Sequence, residues 1–164
     1  MESVYAVAQY IFEEYRKASG QTIDEMKLHK LLYFTQRESI AILGIPMFDE
    51  VFEGWKYGPV CKVIRSSYTQ DGINAKFINI SYDNAYIVNN VISEYGAIES
   101  WKLSEMSHKE LSWMNSRRGL IEGEIGGVPL NIDDIKLDAK KVRPYDHVWD
   151  MYYDEFENAE AMGS

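Results

Sequence analysis

Between Thr22 and Gly44 the chain carries apolar side chains around more than one face of a helix. Leu28, Leu31, Leu32, Tyr33, Phe34, Ile40, Ile42 and Leu43 recur at helical spacing without leaving a polar stripe. A helix of this pattern has to be packed on several sides, so the rest of the 164-residue chain must be arranged around it. Thr22-Ile23-Asp24-Glu25 has the T-x-x-E form of a capping box, which predicts a helix from about residue 23 to 43. Gly44 suits the left-handed stop, and Pro46 prevents continuation.

Ser3 precedes Val4, Val7, Ala8, Ile11 and Tyr15, predicting an amphipathic helix over 4–18 that ends at Gly20. Residues 51–57 are rich in β-formers, and Gly54 marks a bulge or a close backbone approach. Pro59 suits the first turn of a helix over 59–70, and Asp71-Gly72 turns the chain before a weak strand or an extended loop at 76–80. Asp83 is placed to cap a helix over 84–95, with a further helical piece over 97–105. Ser107-His108-Lys109-Glu110 reads as a second capping box. Gly126-Gly127 between β-prone residues predicts a small hairpin, and a helix should follow from Asp133 or Asp134 to about 141. In the tail, Tyr145, Val148, Trp149, Tyr152 and Phe156 form an aromatic stripe beside acidic residues. The expected class is mainly α (α+β): one compact helical domain over 1–164 with a small β-hairpin or short antiparallel sheet.

Charge narrows the function classes. The chain has 26 acids and 17 bases, a net charge of −9, and residues 121–164 alone hold 11 acids against 4 bases. No basic stripe offers to replace the counterions of DNA or RNA, so a nucleic-acid partner is not expected. An acidic field attracts a basic protein, and it also serves simply as a solubility device. The single cysteine, Cys61, closes no intramolecular disulfide, and His29, His108 and His147 lack ligand spacing, so no metal or cofactor is expected. With no signal-peptide pattern and no apolar run of membrane length, a cytoplasmic protein is the expectation.

The densest unusual string is Gly54-Trp55-Lys56-Tyr57-Gly58-Pro59-Val60. Trp55 and Tyr57 beside a rigid turn suit partner anchors, since aromatics bring large area at little rotamer cost. They equally suit a cover over the central helix that leaves Lys56 exposed. His108 and Trp113 face the same choice between packing and binding. No catalytic constellation emerges. His108 with Asp49 or Glu50 would suit hydrolysis or group transfer only if they converged in one pocket.

These strings resemble a known family. Met26-Lys27-Leu28-His29-Lys30-Leu31-Leu32-Tyr33-Phe34-Thr35-Gln36, then Gly44-Ile45-Pro46-Met47-Phe48-Asp49-Glu50 and Trp55-Lys56-Tyr57-Gly58-Pro59-Val60, are similar to the K-L-x-K-L-L-Y-F-x-Q, G-x-P-x-F-D-E and W-x-x-G-P-V elements of the Panacea domain, also called SocA-like or phage-associated. Ser107 through Trp113 is similar to its T-H-x-x-x-x-W element, with Ser107 for Thr and Ser112 where Pro is common. The resemblance covers roughly residues 4–118 and leaves a variable acidic part from about 120 to 164. It implies a mainly helical bacterial or phage antitoxin, the partner of a toxin that it neutralises by direct protein contact rather than by an enzymatic reaction. A phage- or prophage-encoded inhibitor or adaptor of another host protein is the alternative. The expected partner-binding residues are Trp55, Lys56, Tyr57, His108, Trp113, Trp149, Tyr152 and Phe156. A homodimer sealed by the tail stripe is a rival use of the same aromatics.

Overall fold

The central helix, α2, spans Glu25–Leu43, and every residue from Lys27 to Ile40 is buried. The computed structural model describes residues 1–73 and 79–142. In chain order its elements are α1 (Val4–Ser19), α2, β1 (Glu53–Trp55), β2 (Gly58–Val60), α3 (Lys62–Ser67), β3 (Tyr68–Thr69), β4 (Gly72–Ile73), α4 (Tyr82–Tyr95), α5 (Ser100–Ser107), α6 (Leu111–Ser116) and α7 (Ile132–Lys140). α2 packs against α1, α4, α5, α7 and β2, which is why its sequence has no polar stripe. Leu28, Leu31 and Leu32 are wholly buried in one core that also contains Val7, Ile11 and Phe12 of α1 and Val88 and Val91 of α4. Burying each such leucine stabilises the fold by about 1.5–3 kcal/mol. The class is mainly α with two small antiparallel strand pairs, as expected.

Several element ends differ from the sequence expectation, each for a local reason. Asp24, not Thr22, caps α2: its carboxylate accepts the Lys27 N–H at 2.8 Å. Ser81 rather than Asp83 caps α4, leaving Asp83 in the first turn, where a carboxylate suits the helix dipole. Ser107 closes α5 and opens no capping box. The N-terminus of α6 is satisfied from a distance, because Asp138 of α7 accepts the N–H groups of Leu111 and Ser112 at 2.7 and 2.9 Å.

The hairpin also lies elsewhere than expected. Pro59 sits in β2 and starts no helix; α3 begins at Lys62. β1 and β2 pair as Glu53↔Val60, Gly54↔Pro59 and Trp55↔Gly58, so Lys56 and Tyr57 form the tip. Gly58 follows at φ 120°, a conformation that a side chain resists. Gly126-Gly127 turns no hairpin. The segment beyond it runs along the free edge of β1, with Gly54 N–H donating to Val128 O at 2.9 Å and Leu130 N–H to Phe52 O at 2.8 Å. Gly54 is the close approach its sequence suggested, since a Cβ there would lie 1.8 Å from Ser116 Oγ. The strand expected at 76–80 falls largely, and the tail helix wholly, outside the described residues.

Candidate functional site

The hairpin tip is braced from below by α5 and α6. Trp113 donates its indole N–H to Trp55 O at 2.8 Å, and the Ser104 hydroxyl donates to Tyr57 O. Arg117 donates to Gly54 O at 3.1 Å and lies 5.6 Å from the Trp113 ring centre. His108 stacks on Trp113 with ring centres 4.1 Å apart. Backbone carbonyls of the tip are thereby fixed, while Tyr57 remains 54% exposed and Lys56 extends into solvent, 4.8 Å from the Tyr57 ring centre. Trp55 is half-buried, with its indole N–H on Glu53 at 3.0 Å and the Arg65 guanidinium over its ring at 4.9 Å.

A cavity of about 380 Å³ opens between this tip and the first turns of α2. Its lining includes His29 and Lys30 of α2 together with Glu25, Trp55, Tyr57 and Arg65. His29 accepts the Cys61 N–H on Nδ1 at 3.3 Å, so its proton sits on Nε2 and faces the Glu25 carboxylate at 3.2 Å. Burial holds the imidazole below its ordinary pKa, and its hydrogen bond holds the Glu25 carboxyl below the usual range. Arg65 completes the set with its own 3.2 Å contact to Glu25. Lys30 is 1% exposed and donates to Pro59 O at 3.2 Å; desolvation pushes its pKa down to about 7. Burial likewise lowers His108, whose Nε2 is buried without a partner. The charges acting most strongly on His108 are those of Lys30, Arg117 and Glu105, not those of Asp49 or Glu50. Among the described residues no three His, Cys, Asp or Glu side chains gather as metal ligands, and no helix is long and apolar enough to cross a membrane.

The polar side chains of α2 tie separate segments to one helix. Lys27 donates to Gly96 O at 2.8 Å at the end of α4, and Lys30 reaches β2. Tyr33 meets Ser112 of α6 at 2.8 Å and Asp138 of α7 at 3.2 Å. Gln36 accepts the Met47 N–H at 2.7 Å and donates to Phe48 O at 2.8 Å, clamping the loop after α2. A family model described as antitoxin SocA-like, Panacea domain, matches residues 28–114, more than half the chain. The chain belongs to this family. No curated protein and no solved structure matches it.

In this Panacea domain the helical motif is thus a folding device whose polar members each hold a different element. Of the expected partner-binding residues, Trp55, Lys56, Tyr57, His108 and Trp113 come together around the hairpin, the first three on its tip and the last two beneath it. Trp149, Tyr152 and Phe156 lie outside the described residues. Sequence reading missed the cavity, and with it Glu25, His29, Lys30 and Arg65. The available signal was a lysine placed inside an apolar helix with no solvent face, which has to end buried.

Proposed function

We propose that this Panacea domain neutralises a protein toxin in the cytoplasm by binding it directly, with the β1–β2 tip as the docking face. The observation that carries the reading is a rigid turn presenting Tyr57 and Lys56 outward while Trp113 and Ser104 hold its carbonyls from below. Such a tip offers aromatic area with little conformational entropy to lose on binding. Inhibition by occupancy requires no bond to be made or broken, so the domain acts stoichiometrically and not as an enzyme. The acids of residues 121–164, with Trp149, Tyr152 and Phe156, extend the contact toward a basic surface of the toxin.

The test is a tagged capture from the native host, with the captured protein identified by mass spectrometry and then expressed alone. The expected result is a protein that arrests growth, whose arrest is relieved by the wild type and by neither Trp55→Ala nor Tyr57→Ala. A chain truncated after Val142 measures the tail's share. A captured host protein that causes no arrest would replace the antitoxin reading with that of an inhibitor or adaptor. Undiminished rescue by both variants would move the docking face elsewhere.

A further inference from the structure

The floor of the hairpin cavity holds a cation that the fold leaves underused. An ammonium has three donors, and among the described residues Lys30 has one acceptor, Pro59 O at 3.2 Å. Gly58 is packed so closely over this lysine that a Cβ there would lie 2.5 Å from its Cε, so the stem has little room to swing. Among the described residues the sole lining carboxylate, Glu25, is already engaged by His29 and Arg65. Lys30, Lys56 and Arg65 therefore face the cavity against one committed acid, in a chain whose net charge is −9. Met26, Trp55 and Val60 supply apolar wall. The volume of about 380 Å³ falls within the range of ligand sites, about 300–1,000 Å³.

We infer that this cavity receives a single carboxylate on a short apolar stem, an acidic side chain of the bound protein, with Lys30 as its ionic partner and Arg65 at the rim. The inference rests on the reading that the partner docks at the hairpin tip. Of the three cations only Lys30 is buried, and the apolar wall matches methylene groups, which together favour a carboxylate on a stem over inorganic phosphate. Asp24, Glu25, His29 and His108 are the other titratable groups acting with or on Lys30: the two acids favour its charged form, whereas both imidazoles lose proton affinity beside it. A carboxylate seated here protonates Lys30 fully, so binding takes up a proton near neutral pH and weakens as the medium becomes alkaline.

The probe is a blocked glutamate, with blocked glutamine and inorganic phosphate as comparisons. The readout is the Cε resonance of Lys30 in lysine-labelled protein, assigned by its loss in Lys30→Met. Blocked glutamate is expected to raise the titration midpoint of Lys30, and blocked glutamine to leave it in place. Lys30→Met should cut affinity about tenfold or more, and the exposed Arg65→Gln, which cannot compromise the core, about threefold. No response to glutamate at tens of millimolar, or an equal response to glutamine or phosphate, would overturn the inference even if Tyr57→Ala abolishes partner capture, which would leave the docking face standing. Glutamate binding that fails to compete with the captured partner would overturn the assignment to the partner and make a free small carboxylate the occupant.

Discussion

Lys30 illustrates what a single residue contributes when burial and charge conflict. Its folded pKa of about 7 lies below the unfolded value of 10.5, so the unfolded chain holds this proton more tightly. The resulting penalty is at full size below about pH 7, and it is relieved as pH rises through the interval up to 10.5. Lys30→Met removes the penalty while keeping the stem. The variant should be more stable than the wild type by about 1–3 kcal/mol at about pH 6, with the gap narrowing steadily toward about pH 9, as read by urea unfolding at each pH. A gap independent of pH would mean that Lys30 keeps its proton in the folded state across this range. Stability gained at the expense of the cavity's cation is the pattern of a residue retained for binding. From the sequence the position of Lys30 was visible, but its partner was not, because Pro59 lies 29 residues away on a strand that local cues assigned to a helix.

At the scale of elements, the boundaries written into neighbouring residues were legible and those supplied from afar were not. α1 and α2 follow from their apolar spacing and their glycine stops, and Gly20 and Gly44 adopt φ 73° and 75° as the pattern required. α6 is the opposite case. It has six residues, and its first amides are capped by Asp138. A short helix with so few internal bonds depends on that carboxylate. Asp138→Ala should cost about 3 kcal/mol in chemical unfolding, with loss of amide protection concentrated in 111–116. Asp138→Asn, which keeps one acceptor, should cost less. Gly126-Gly127 misled for a related reason: the segment it belongs to is extended by pairing with β1, a choice made by Gly54 and Phe52 and not by its own turn propensity.

For the whole molecule, the Panacea motif and the proposed docking tip divide the labour. The motif's side chains are turned inward to hold α4, β2, α6, α7 and the loop after α2, which fixes the fold, whereas Lys56 and Tyr57 of the tip face outward. The family was legible in the sequence because those inward residues have fixed spacings; the partner was not, because complementarity to another surface leaves no period. If the acidic part steers a basic toxin, the association rate should fall about tenfold or more between low and physiological salt, while the dissociation rate changes little. Rapid-mixing kinetics on the captured pair would measure both, and a salt-independent association rate would remove the steering role.

Cys61 stands at the foot of the hairpin, 1% exposed, with its backbone N–H on His29 and its thiol pushed up to about 11 by burial. The chain therefore carries its own clock for hairpin opening. A thiol reagent reaches the buried Cys61 only when the packing around the foot of the hairpin opens, so the labelling rate reports those excursions. Any occupant that bridges Lys30 and the tip should slow that clock.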